Sequence, residues 1–183
     1  NRVFHNSSHG IAVQGVSAVR HNQVYDNSVG IGNYGSYYDY QGALLEGNVI
    51  YDNTNEGIRI SGFPNATNGQ VRQNTIYQPV GDAIVVSEGV AGVTLQNNIL
   101  WVNAGSALHV AKDSQSGLIS DYNLFYMTGT GQLGRWGETD FSNRIDWYFE
   151  LGRDEHSVVG DPLLVSVRGP DGSLGYDPNT QTD

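Results

Sequence analysis

Short runs of alternating apolar and polar residues, separated by Gly, Asn, Asp and Ser, fill the first two thirds of the chain. The clearest run is Asn48-Val49-Ile50-Tyr51-Asp52-Asn53, followed by Gly57-Ile58-Arg59-Ile60. An Asn, any residue, an apolar residue and an aromatic recur as Asn1-Arg2-Val3-Phe4, Asn22-Gln23-Val24-Tyr25, Asn74-Thr75-Ile76-Tyr77, Asn98-Ile99-Leu100-Trp101 and Asn123-Leu124-Phe125-Tyr126. Successive Asn residues are 21, 26, 26, 24 and 25 positions apart. A period of this size belongs to a stacked array of small units that bury their apolar faces on one another.

Within each unit a small residue and an aliphatic follow (Gly10-Ile11, Gly30-Ile31, Gly57-Ile58, Ala83-Ile84, Ala107-Leu108), and Val19, Leu45, Val71 and Leu95 stand three positions before the next Asn. Each unit therefore holds three short period-two runs and no helical periodicity. Three strands per turn of about 25 residues, stacked at about 4.8 Å, describe an all-β parallel solenoid. Five to six coils make a rod of roughly 25–30 Å on the same spacing.

Other columns fit this register. The repeat Asn residues stack as an amide ladder at a turn. A second column, five positions on, holds Asn6, Asn27, Asn53 and Asn103, with Pro79 interrupting it. The aromatics Phe4, Tyr25, Tyr51, Tyr77, Trp101 and Tyr126 stack along the rod. Arg20, Glu46 and Arg72 alternate in sign on neighbouring coils, as cross-strand ion pairs should.

After Tyr126 the period stops. Coils are expected over 1–126 and a closing segment of the same domain over 127–183. Met127 to Thr139 reads as loop, and Asp140 as the N-cap of a short helix through Asn143–Leu151 that Gly152 ends. Ile145, Tyr148 and Leu151 share the face expected to pack on the last coils. Val158 to Val165 reads as one more strand-like run, and Arg168 to Asp183 is rich in turn residues. A solenoid with a bare end exposes unpaired strand edges, so further coils are expected before Asn1, and the chain reads as a piece of a longer one.

Charge narrows the partners. With 9 Lys and Arg against 19 Asp and Glu, the net charge is −10, which disfavours nucleic acid and anionic membranes. No apolar run reaches the roughly 18 residues of a membrane helix. No Cys is present, so disulfides and thiolate metal sites are excluded.

These columns resemble the right-handed parallel β-helix repeat family, the group of pectate lyases, alginate lyases and mannuronan epimerases. Ser120–Tyr126, Trp147 and Ser157–Leu164 resemble the C-terminal closure of its bacterial secreted or surface members. The resemblance implies an extracellular or cell-surface location and a polysaccharide or neighbouring protein segments as partner. The Asp-Pro-His-Asp motif of the mannuronan epimerases is missing. The fold hosts lyases, epimerases, hydrolases, adhesins and spacers alike.

Candidate chemistry gathers on the outward side of the small-aliphatic strands. Glu56 and Asp82 fall on adjacent coils, where two carboxylates share a cation such as Ca²⁺ or push one pKa upward. Arg59 stands on the same face, with His109 two coils beyond it. Uronate elimination or epimerisation needs the sugar carboxylate neutralised and a base for the neighbouring C–H. Glu56, Asp82, Arg59 and His109 supply those types, with Glu56 and Asp82 as the metal candidates. The same residues also suit an ordinary solvated strand surface. Tyr34, Tyr37, Tyr38 and Tyr40, on a loop inserted after the second coil's strand, are the binding candidates. Asn6-Ser7-Ser8 and Asn65-Ala66-Thr67 match glycosylation acceptors. Two functions follow: a non-catalytic rod, adhesion or carbohydrate-binding module of a larger surface protein, or a polysaccharide-active uronate lyase or epimerase.

Overall fold

Apolar residues at every second position leave one face of each short strand with nowhere to go but inward, and stacking coils is how this chain buries them. The computed structural model describes residues 1–35, 41–62, 68–167 and Leu174. Its first coil contains β1 (Arg2–Phe4), β2 (His9–Gln14) and β3 (Ala18–Arg20). The pattern repeats as β4 (Gln23–Tyr25), β5 (Val29–Tyr34) and β6 (Leu44–Glu46), then as β7 (Val49–Tyr51), β8 (Glu56–Ser61) and β9 (Gln70–Arg72). Next come β10 (Thr75–Gln78), β11 (Asp82–Val86) and β12 (Thr94–Gln96), followed by β13 (Ile99–Val102), β14 (Ser106–Val110) and β15 (Ile119–Asp121). The chain continues with β16 (Leu124–Met127), β17 (Gln132–Trp136), β18 (Thr139–Phe141), the helix α1 (Arg144–Leu151) and β19 (Val158–Val159).

Equivalent strands pair in parallel to form three sheets. The first runs β1-β4-β7-β10-β13-β16-β19, the second β2-β5-β8-β11-β14-β17-β18, and the third β3-β6-β9-β12-β15. Val3, Val24, Ile50, Ile76, Leu100 and Phe125 are register partners, as the Asn period requires. All but Val3 are buried. The all-β parallel solenoid with one short helix is thus present.

The ladder of repeat Asn residues is continuous. Asn22, Asn48, Asn74 and Asn98 each donate from Nδ2 to the Oδ1 of the next Asn at 3.0–3.1 Å. The same Oδ1 accepts the preceding residue's backbone N–H, as in Asn48 to Asn74 at 2.9 Å. Asn48, Asn74, Asn98 and Asn123 also donate to Val19, Leu45, Val71 and Leu95 carbonyls, so these buried amides are satisfied.

The second Asn column departs from expectation. Asn27 donates to Asn53 Oδ1 at 3.2 Å, and Pro79 does not break the column. Buried Gln78, one position earlier, accepts from the Asn53 N–H at 3.1 Å and returns a bond to the Asn53 carbonyl at 2.8 Å. Its longer side chain spans what an Asn at 79 would have spanned. On the next coil the buried neighbour of Gln78 is Val102, and Asn103 is exposed.

At the aromatic column, Phe4–Tyr25 and Tyr25–Tyr51 stack with centroids 5.1 and 4.8 Å apart. Tyr77–Trp101 and Trp101–Tyr126 are tilted pairs at 4.3 and 5.2 Å. The charge column also holds: Glu46 pairs with Arg20 at 2.9 Å and with Arg72 at 2.8 Å.

One turn column was not foreseen. His5, Asp26 and Asp52 all have left-handed backbones and lie on successive coils, linked by His5 N–H to Asp26 O and Asp26 N–H to Asp52 O. His5 Nδ1 meets Asp26 Oδ2 at 3.0 Å. Asp52 is half-buried, and burial first, then the Asp26 charge, push its carboxyl from 3.8 up to about 6. A carboxyl whose folded pKa is raised favours the folded state when protonated. Its contribution is therefore full below about pH 4 and lost as pH rises to about 6. Melting temperature is expected to fall across that window in the native protein, with a flatter profile for Asp52→Asn. Identical profiles for the two proteins would contradict this.

The C-terminal closure departs from expectation in three places. Gln132–Trp136 is not loop: it is β17, parallel to β14, and β18 turns back antiparallel onto it. Asp140 lies in β18 and pairs bidentately with Arg135 at 2.6 and 3.1 Å, so it does not cap α1. Asn143 does, its side chain accepting the Asp146 N–H at 3.0 Å. Ile145 is exposed. Trp147 instead anchors the helix, fully buried against Phe141 and Trp136, with Leu151 beside the core. Gly152 ends the helix in a left-handed conformation, as expected.

At this end the Asn ladder meets a carboxylate. Asp154, buried, accepts from Ser120 Oγ, Asn123 Nδ2 and Ser157 Oγ on one oxygen, at 3.0, 3.1 and 2.6 Å. Its other oxygen accepts Trp147 Nε1–H at 2.9 Å. Ser120 stands where earlier coils carry Val or Leu, so the change of residue marks the last rung.

Candidate functional site

The outer face of the second sheet carries the candidate residues because its strands run five or six residues without a break, with alternate side chains directed to solvent. Register makes Glu56 and Asp82 partners on adjacent coils. Arg59, Val85 and His109 follow one another across β8, β11 and β14, and Arg135 on β17 extends the line. The predicted four are brought to one face.

Each carboxylate has its own side-chain partner. Glu56, nearly buried, takes a two-pronged contact from Arg59, through Nε at 2.7 Å and through an Nη2 atom that touches its other oxygen. Burial pulls the Arg59 pKa down, but the bond to Glu56 and its charge leave it above the usual value. Asp82 faces the other way along the rod. Its Oδ1 accepts the Ser106 N–H at 2.6 Å, and its Oδ2 accepts His109 Nδ1–H at 2.9 Å. Arg135 with Asp140 completes the strip. Among the described residues no group of three or more His, Asp or Glu side chains is arranged to hold a metal ion. Glu56 and Asp82 present two carboxylates with separate partners, a poor match to the six to eight oxygens of Ca²⁺.

Tyr34 is not on the inserted loop: it is the last residue of β5, paired with Gln14 and Ser61, and its side chain folds back along that strand. Its ring lies over Gly32, where a Cβ would come within 2.6 Å of Tyr34 Cε2 and 2.9 Å of His9. The missing side chain is what makes the room. The Tyr34 hydroxyl hydrogen-bonds His9 Nε2, and His9 Nδ1 meets Ser8 Oγ at 2.8 Å. Burial raises the Tyr34 pKa, Arg59 opposes that, and Glu56 and Glu88 add to it. His9 was legible only as a polar residue before a strand, since its contact depends on Gly32. Tyr37, Tyr38 and Tyr40 lie outside the described residues, as does Asn65-Ala66-Thr67. Asn6 is described and exposed, and its Nδ2 donates to Asn27 Oδ1 at 2.8 Å and to the Phe4 carbonyl.

A second paired cluster lies at the far corner. His156 Nδ1 meets Asp121 Oδ2 at 2.7 Å, and its ring stacks on Tyr122 at 4.9 Å. The bond to Asp121 raises the His156 pKa. Burial pushes Asp121 up, but bonds from the His156 ring and backbone and from the Tyr122 N–H hold it below its usual value.

The family model described as the right-handed beta helix region matches residues 1–125, the part of the chain that carries the Asn period. The chain belongs to the right-handed β-helix family. No curated protein and no solved structure matches it. This β-helix pairs the ionisable residues on the outer face of its second sheet: His9 with Tyr34, Glu56 with Arg59, Asp82 with His109 and Arg135 with Asp140. No helix among the described residues is long and apolar enough to cross a membrane.

Proposed function

We propose that this β-helix is a non-catalytic module of a larger extracellular or cell-surface protein, serving as a rod that adheres to, or binds, carbohydrate through the outer face of its second sheet. One observation supports the non-catalytic reading: the Arg59 guanidinium occupies both oxygens of Glu56. Each Glu56 oxygen already accepts a bond from Arg59, which leaves this carboxylate poorly placed to remove a carbon-bound proton. The same pairing favours binding. Rigid strands present fixed donors and acceptors side by side, and hydroxyl groups satisfy both without carrying charge into the face. The extracellular placement follows from the family resemblance.

The alternative, a uronate lyase or epimerase with or without Ca²⁺, draws on the adjacency of Glu56 and Asp82 beside Arg59. Incubation with pectate, alginate and neutral polysaccharides, with and without Ca²⁺, separates the two. The expected result is no unsaturated product by ultraviolet absorbance, no change of uronate configuration by NMR, and a raised melting temperature with at least one polysaccharide. Turnover that disappears in Arg59→Ala would establish the enzyme reading instead.

A further inference from the structure

Away from the second sheet, the segment after β19 crosses the outer face of the first sheet. Val158 pairs with Leu124 and the Gly160 N–H donates to the Phe125 carbonyl at 3.0 Å, which is the last strand-like contact. The chain then turns at Asp161-Pro162-Leu163. Leu163 has a left-handed backbone (φ 53°), and its N–H donates to Asp161 Oδ1 at 2.8 Å. Leu164–Val167 come to lie over β4, β7 and β10, three to five strands back from β19 along the sheet. A segment running across strands cannot join their ladder, and none of its residues is in a strand. It is a strap laid over the sheet, and Leu163, Leu164 and Val165 all remain exposed.

Between strap and sheet is a cavity of about 450 Å³, floored by Val49, Tyr51, Thr75, Tyr77 and Gln23. Its described lining residues include no charged side chain. The polar groups are uncharged: the Gln23 amide, the Thr75 and Ser166 hydroxyls and the tyrosine phenols. A cavity of roughly 150 Å³ lined by apolar side chains already takes benzene, so this one has room for a fused two-ring molecule. Cavities of this size, mostly apolar with a few convergent polar groups, are the usual form of a small-molecule site.

We infer that the cavity beneath the strap binds an uncharged, flat aromatic molecule of about two rings that bears a hydrogen-bonding edge. An anion would lose its hydration with no cation among the described lining residues to replace it, and the chain's charge of −10 would oppose it further. This site is independent of the second-sheet face and of the carbohydrate reading.

The test uses 2-naphthol and its anionic counterpart 2-naphthalenesulfonate, titrated into the full chain by calorimetry at neutral pH. Naphthol is expected to bind, with the sulfonate at least tenfold weaker. Val49 is partly exposed on the outer face, so Val49→Trp fills the cavity from its floor and is expected to abolish naphthol binding with an unchanged melting temperature. Thr75→Phe should do the same, and Val80→Trp, elsewhere on the surface, should leave binding intact. No binding to the native chain, equal affinity for the sulfonate, or full binding by both floor variants would each overturn the assignment.

Discussion

Replacing Asp154 with alanine is expected to destabilise the protein by about 3–5 kcal/mol, a large share of the stability of an ordinary domain. The carboxylate is buried and accepts four side-chain hydrogen bonds, from Ser120, Asn123, Ser157 and the Trp147 indole. Alanine strands all four donors, and each buried donor without an acceptor costs about 1–3 kcal/mol before relaxation. The damage also spreads, because Asp154 fixes the last rung of the ladder and holds the helix that closes the core. Asp154→Asn retains one carbonyl oxygen but turns an amide donor toward either the serines or the indole. It should fall between the native protein and alanine. Urea denaturation measures both, and a loss under about 1 kcal/mol for Asp154→Ala would mean that water replaces the carboxylate freely.

Gly81→Ala is the second large effect. Gly81 has φ +74°, and a Cβ there would overlap the Asn55 carbonyl oxygen and lie 2.7 Å from its carbon. Both atoms are backbone of the neighbouring coil, so relief comes only by parting two stacked turns beside Asp82. The left-handed conformation adds about 1 kcal/mol, and overpacking of this kind adds about 1–3 kcal/mol. The comparison that isolates the clash is Gly152→Ala. Gly152 has a similar φ of 65° but nothing within 4 Å of its would-be Cβ. A loss near 1 kcal/mol is expected there. Equal losses at the two positions would mean that the coils are not packed as closely as the geometry states.

Much of this architecture is legible because each coil must satisfy the same stacking constraint. Asn74 is needed where it stands because its amide joins the coil below to the coil above, and the period of such residues is therefore visible without coordinates. Glu46 between Arg20 and Arg72 is visible for the same reason. The closing segment obeys no such repetition. Gln132–Trp136 occupies a second-sheet position without an Asn or a small-aliphatic pair to announce it. Trp147 is chosen over Ile145 by the shape of the open core end, which periodicity along α1 does not encode. Asp154 reads as one more acidic residue in a polar stretch. On the candidate face, the coincidence of Glu56, Asp82, Arg59 and His109 followed from spacing. Their pairing did not, since it depends on which rotamer reaches which neighbour. Tyr34 reaches His9 only because Gly32, two residues earlier, leaves the path open.

The ladder also has a direction. From Asn22 to Asn98 each amide hands its N–H to the oxygen of the next, and Asn123 hands its own to Asp154. Every rung is chemically interchangeable, whereas the terminus that receives the last proton donor is singular. The length of such a molecule is therefore quantised: it changes by whole turns without disturbing its terminator, and a fraction of a turn would leave a donor facing nothing. A lineage can thus lengthen or shorten this rod by duplicating or losing complete repeats while inheriting one unaltered end piece.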